Sequence, residues 1–437
     1  MRMKPDLQQF FLACDPSRVL KQENAEDQKY YINFSEVRGA EIIKKLGRSI
    51  CWKSEDYTCQ LFTGHIGCGK STELSRLKTK LEQEGFQVVY FESSQDLDKG
   101  DLDISDILLA IARRVSENLE AIKIKPQGGY FTQILQECVD VLNTPIDVKG
   151  VELSLGIGKI TTKTKESPQL RSQLRQYLEP KTENLLKAIN EELLEPAKKE
   201  LQRRGQKGLV VIIDNLDRVN DLPHVSGKSL PEYLFVSRGE QLNSLHCHVV
   251  YTIPLILAFS NEREALKNRL GGGTDPMVLP MVPVSKRDGS DSEAGLQLLR
   301  QMVLARAFPD QLSEERLNLV TEVFDSPATL DRLCRVSGGH VRNLLSLLSS
   351  CLLELDTLPI DQNSLEIVIR KHANELALAI TPDEWELLEK VAETKSVTGE
   401  TQYQILLHSL FVFQYHNEQG DLWFDINPVL AEIHSFQ

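Results

Sequence analysis

Apolar residues follow two different rhythms along the chain. Up to about residue 285, short apolar runs recur with little alternation: Cys59 to Thr63, Phe86 to Glu92, Gly208 to Ile213, His246 to Thr252 and Met277 to Val284. Runs of this length suit strands covered on both faces, as in a parallel sheet, and five of them predict a doubly wound α/β core. After the first run, Ser71 to Glu84 carries Leu74, Leu77 and Leu81 on one helical face and meets Gly85, a residue suited to a helix end. Beyond residue 285 the rhythm becomes helical, over Ala294 to Arg306, Thr329 to Val336, His340 to Leu355 and Gln362 to Leu376. The last stretch predicts a helix from Pro382 to Glu393, another from Glu400 to Leu410, and two strands, Phe411 to Tyr415 and Leu422 to Ile426, joined by a turn at Asn417 to Asp421. Two helices followed by a two-stranded wing suggest a winged helix.

About residues 120–207, between the second and third runs, are too long for a simple crossover and too patterned for a loop, so they form a structured insertion. Within it Gly150 to Lys165 alternates like a hairpin, and Ser172 to Gln202 predicts helices broken at Pro180 and Pro196. The expected organisation is a lead segment (1–30), a core with its insertion (31–285), a helical lid (286–380) and a winged-helix-like α+β domain (381–437).

Composition narrows the class. The 437 residues are 41% hydrophobic and 26% charged, with no apolar run near the roughly 18 residues a membrane span needs, so a soluble protein without membrane contact is expected. The N-terminus has no secretory pattern and the C-terminus no lipidation motif, which points to the cytoplasm. Eight cysteines never form a C-x-x-C pair, so neither a zinc site nor a disulfide framework is indicated. Net charge is 50 − 63 = −13, which disfavours indiscriminate attraction to nucleic acid. Residues 159–207 hold 12 Lys/Arg against 7 Asp/Glu, net +5, and form either a contact for nucleic acid or an acidic partner or, as is usual for a charge run, only a solvated face. The last 57 residues hold 10 acidic residues against Lys390 and Lys395, net −8, which opposes phosphate contact by the wing.

The turn between the first run and its helix reads Gly64-His65-Ile66-Gly67-Cys68-Gly69-Lys70-Ser71-Thr72. It contains G-x-x-x-x-G-K-[ST], the pattern of a phosphate-binding P-loop. Glycines let backbone N–H groups turn inward around an anion, and the helix that starts there directs its positive end at the same charge. Gly64, His65, Ile66, Gly67, Cys68, Gly69, Lys70, Ser71 and Thr72 are therefore the expected nucleotide-binding residues. Lys70 is expected to reach the β- and γ-phosphates of ATP, and Ser71 to ligate Mg2+ through its hydroxyl. Asp214, at the end of the run from Gly208, is the acidic partner for Mg2+, since ligands of such sheets sit beyond the strand ends. Asp217 either handles the proton of the attacking water or only caps the segment that follows.

Gly64-x4-Gly69-Lys70-Ser71 together with apolar-Asp214-x-x-Asp217 resembles the STAND and KAP-like branches of the AAA+ related P-loop ATPases, over roughly residues 30–380. The resemblance implies an AAA+-like P-loop NTPase core under a helical lid, and it suggests further roles. Phe34-Ser35-Glu36-Val37-Arg38-Gly39 is similar to a segment that packs against adenine, so Arg38 and Gly39 join the nucleotide site unless Arg38 is a surface residue. Asn215 stands where most AAA+ ATPases carry the glutamate that polarises water; either turnover is slow or Asp217 does that work. The strand ending at Thr252 resembles sensor 1, with Thr252 either sensing the γ-phosphate or forming a turn. Ser337-Gly338-Gly339-His340-Val341-Arg342-Asn343-Leu344 looks like sensor 2, with Arg342 touching the γ-phosphate, although STAND proteins usually show G-x-P here. Arg218, Arg238, Arg263, Arg269 and Arg306 are equal candidates for an arginine finger.

The function implied is an ATPase, slow or partner-stimulated, acting as the switch of a bacterial signalling or antiviral-defence system. ATP closes the lid and promotes association, as a homo-oligomer or with a separate effector; hydrolysis resets the state. The alternative is a nucleic-acid-associated AAA+ ATPase of the initiator or loader kind, supported by the basic insertion and opposed by the acidic wing. A nucleotide-binding scaffold that never hydrolyses is a third reading, motivated by Asn215.

Overall fold

The computed structural model describes residues 4–39, 41–125, 129–142, 152–417 and 419–434. The five apolar runs become strands β1 (Cys59–Gly64), β2 (Phe86–Glu92), β3 (Gly208–Asp214), β4 (His248–Thr252) and β5 (Met277–Leu279), in the order β2-β3-β4-β1-β5. The β1–β4, β2–β3 and β3–β4 pairs are all parallel. Every residue of β3 and β4 is buried, which is why these stretches show no polar alternation. This is the α/β fold of a P-loop NTPase. β5 is shorter than its run because Pro280 and Pro283 lack the N–H a ladder needs. The next two N–H groups leave the sheet: Met281 donates to the Gln414 carbonyl (3.0 Å) and Val282 to that of Gly339 (3.4 Å).

The chain divides into two compact units. One joins Ile43–Thr63 to Leu77–Met277; the other joins Met1–Ile42, Gly64–Arg76 and Val278–Gln437.

In the first unit, Ile107, Ile111, Phe131, Ile157, Leu174 and Leu193 share one apolar cluster with Ile213 and Val249 of the sheet. The hairpin expected over Gly150 to Lys165 does not form. Leu153–Glu166 is a helix, while Gly150 and Val151 lie outside the described residues. Leu153, Ile157, Ile160 and Thr164 also fit helical spacing, and burial of Ile157, Ile160 and Thr164 outweighs the local alternation. Gly158 lets this helix approach the one from Ile104–Ala121: an added Cβ would stand 3.2 Å from Arg113 Nε. Pro180 falls in a single 3-10 turn, Glu179–Lys181, as a local break. Pro196 does not break the helix. It sits in the first turn of Glu195–Arg203, straight after a π-helical stretch, Ile189–Leu194, whose wider turn absorbs the missing N–H.

Some of the insertion's cations are engaged by the core of the same unit. Arg171 donates to Asp98 (2.8 Å) and to the Asp101 carbonyl (3.0 Å), Arg175 pairs with Asp101 and Asp106, and Lys165 donates to the carbonyls of Ser94 and Gln95. Beside them the buried Asp96 carboxylate takes Arg113 and Arg114, each at 2.6 Å.

In the second unit, helices Glu293–Ala307, Pro327–Val336, Val341–Leu353 and Gln362–Ala377 close a core through Leu299, Leu333, Leu348 and Ile369. The N-terminal helix Leu7–Ala13 contributes Phe10 to it. Two further helices, Pro382–Thr394 and Thr401–His408, precede the antiparallel strands β6 (Val412–His416) and β7 (Leu422–Ile426), paired from Val412↔Ile426 to His416↔Leu422. Among the described residues no helix is long and apolar enough to cross a membrane.

Candidate functional site

The loop after β1 turns through positive φ at Gly64 (+153°), Gly67 (+91°) and Gly69 (+105°), conformations that a side chain would strain. A Cβ on Gly67 would sit 2.7 Å from His340 Nε2 and 2.9 Å from Arg342 Cβ, so only glycine fits between these neighbours. At Gly69 a Cβ would meet nothing within 4 Å, so the loop is open on that side.

Each carbonyl from residue 64 to 68 is held by a donor. Lys70 Nζ donates to those of Gly64 (2.8 Å) and His65 (2.9 Å). The ring of His340 donates from Nε2 to Ile66 (2.8 Å), and the Arg342 N–H donates to Gly67 (3.2 Å). Arg38 Nη2 donates to Cys68 (2.8 Å). With its acceptors satisfied in this way, the loop has N–H groups and the Lys70 ammonium to offer an anion.

Arg38 is therefore no surface residue; it is buried beneath the loop with its guanidinium 5.3 Å from the Phe34 ring centroid. Gly39 is explained by crowding, since a Cβ there would lie 2.1 Å from the Asn417 carbonyl oxygen. Arg342 adjoins the loop through its backbone, and its Nε donates to the Pro16 carbonyl (3.4 Å). Ser71 and Thr72 are half-buried in the first turn of Lys70–Gln83, where Thr72 Oγ1 accepts the Leu20 N–H (3.3 Å).

Two histidines flank the loop as neutral rings. Burial, with His340 and Lys70 nearby, pulls the pKa of His65 down to about 3. Burial likewise lowers His340 to about 4, against the hydrogen bond it gives Ile66. His65 Nε2 accepts the N–H of Gln414 in β6 (3.0 Å), and the Phe413 ring lies 5.8 Å from His65 and 5.6 Å from His340.

The other unit carries the strand-end carboxylates. The registers Phe62↔Thr252 and Ile213↔Tyr251 bring the C-terminal ends of β1, β4 and β3 level. Asp214 is buried; its Oδ2 accepts from the Tyr90 hydroxyl (2.7 Å) and its Oδ1 from the Asn215 N–H (2.7 Å). A carboxylate oxygen has room for a second donor or a metal, so these bonds leave Asp214 able to take part in a Mg2+ shell. Asn215 occupies the left-handed region (φ 59°), which asparagine tolerates better than glutamate, so the backbone itself favours the residue found there. The Thr252 hydroxyl donates to the Ile213 carbonyl (3.1 Å) and accepts the N–H groups of Leu216 (2.9 Å) and Asp217 (3.4 Å). It ties the turn that carries the buried Asp217 to β4.

Residues 40–225 match the KAP family P-loop domain. That match takes in the loop at 64–72, Asp214 and Asp217, and stops short of Thr252 and Arg342. Three solved structures are similar over almost the whole chain. They are the Aeropyrum pernix ORC2 protein in ADPNP–ADP complexes (13% identity, TM-score 0.37, 96% of this chain and 95% of that one), Drosophila ORC bound to DNA (12%, 0.38, 96% and 89%), and Cdc6p from Pyrobaculum aerophilum (13%, 0.38, 96% and 97%). No curated protein matches the chain.

Within residues 40–225 a cation near the carboxylates, Lys99, is not signalled by any sequence motif. Lys99 follows β2, whose last residue Glu92 is level with Asp214, and its carbonyl accepts the Asn220 N–H (3.1 Å). Burial, the largest influence, and Arg218 lower its pKa, while Asp217, Glu92 and Asp214 oppose them. The contacts of His340 and Gln414 are likewise not signalled, because their loop partners lie 274 and 349 residues away. Among the described residues no group of three His, Cys, Asp or Glu is arranged to hold a metal alone. Mg2+ carried on phosphate oxygens needs fewer protein ligands.

Proposed function

We propose that this chain is an ATPase switch: it binds Mg-ATP at residues 64–72, hydrolyses it slowly, and in its ATP state associates with further copies of itself. The observation that carries this is the loop, with five carbonyls held by donors, Lys70 folded within it, and open space at Gly69. In this reading Lys70 moves its ammonium from the loop carbonyls toward the phosphates, and Gly67 and Gly69 allow the backbone to approach them. Ser71 and Asp214 hold Mg2+, and Arg38 keeps the loop's shape from below. Bound Mg-ATP supplies the anhydride whose γ-phosphoryl passes to water. Asp217 is the base that orients this water, because Asn215 has no carboxylate to do so. Arg342 and His340 link the loop to the helix Val341–Leu353, so a change in the loop reaches the helical region. A bacterial signalling or defence setting follows from the STAND and KAP-like resemblance and is part of the proposal.

A nucleic-acid-associated ATPase is the second reading. The basic insertion would serve it, yet Arg171, Arg175 and Lys165 are committed to the chain's own carboxylates and carbonyls. This favours the switch.

The test is nucleotide titration and turnover on the whole chain. Lys70→Ala removes charge-assisted contacts worth about 1.5–3 kcal/mol each, so ATP affinity should fall at least about tenfold with the fold intact. Asp217→Asn should keep affinity and lose about 100-fold or more in turnover. Unchanged affinity in Lys70→Ala would remove the proposal.

A further inference from the structure

The first variable residue of the P-loop, His65, is occupied by the far end of the chain. Its Nε2 accepts the N–H of Gln414 in β6 (3.0 Å), which requires the ring to be neutral with its proton on Nδ1. The same residue is also anchored through its carbonyl, which accepts the Met281 N–H (3.0 Å). Phe413 turns its ring edge to His65, at 72° between planes, and also touches His340, the donor to Ile66. Tyr415, next along, donates its hydroxyl to the Gly338 carbonyl (2.8 Å), at the start of the turn that leads to His340. The turn after β6 presses on Gly39, one residue beyond the arginine that holds Cys68. β6 thus meets the loop directly at His65 and reaches its other supports through His340 and the Gly39 segment.

We infer that the hairpin of β6 and β7 is a working part of the nucleotide site, with His65 as the positioning residue through which Gln414 fixes the loop in its phosphate-binding shape. This rests on the P-loop reading above. A loop fixed in advance loses less conformational freedom when an anion arrives, so the hairpin raises nucleotide affinity without touching the nucleotide. The coupling is reciprocal: a nucleotide that holds the loop must also hold the hairpin against it.

Two measurements on the full chain test this. The first needs no substitution: amide hydrogen exchange of residues 412–416, with and without ADP. Exchange should slow by about tenfold or more on ADP binding, since opening β6 then also costs bound ligand. The second compares His65→Leu, which accepts no hydrogen bond, with His65→Gln, whose amide oxygen accepts one. His65→Leu should bind a fluorescent ATP analogue about tenfold more weakly, and His65→Gln should recover to within about threefold of the natural chain. Equal affinity in all three, or exchange at 412–416 indifferent to ADP while ADP binds, overturns the role of the hairpin. A natural chain that binds neither ADP nor the analogue overturns the P-loop reading itself.

Discussion

Thr252 makes three hydrogen bonds with a single hydroxyl, and this fixes what its loss should do. Thr252→Val keeps the shape but strands the Leu216 N–H in a buried turn, a cost of about 1–3 kcal/mol. The urea midpoint should fall accordingly; unchanged stability with slowed turnover would instead make the hydroxyl a sensor that reads phosphate. At this scale the sequence was most legible where chemistry is local. Gly64 to Thr72 announce themselves because the loop, its lysine and its helix are contiguous. Arg38 was legible only as a candidate for adenine, because its bond to Cys68 spans 30 residues. The Asn215 position looked like a missing glutamate until the left-handed turn gave asparagine a backbone reason.

Among elements, strands buried on both faces were readable as unbroken apolar runs, and the helices of the second unit as helical periodicity. The insertion was not. Over residues 150–165 a period of two and a period near four both fit, and packing on Ile104–Ala121 decides between them. Its positive charge was visible and its use was not, since Asp98, Asp101 and Asp106 lie about 70 residues from the arginines they hold. Asp96 has the most at stake here, with no exposed side-chain surface and two guanidinium partners. Asp96→Ala should cost up to about 3 kcal/mol, because Arg113 and Arg114 then share only Glu117, whereas Asp101→Asn, half exposed, should cost no more than about 1 kcal/mol. Equal urea midpoints for the two variants would mean that the buried Asp96 pairs add no more to stability than the half-exposed Asp101 pair.

For the whole molecule, the account joins a P-loop to an ATP-dependent change of state. The loop is held by donors from residues 38, 340 and 342 and by the strand at 412–416, segments far along the chain. In the proposed switch, this sharing of the loop's carbonyl side is the route by which one sequence motif acts on distant elements. The measurement that bears most directly on this is solution mass by light scattering, first with ADP and then with a non-hydrolysable ATP analogue and Mg2+. The account predicts a larger species with the analogue, and none in Lys70→Ala. The same mass with both nucleotides would contradict a switch that acts through self-association.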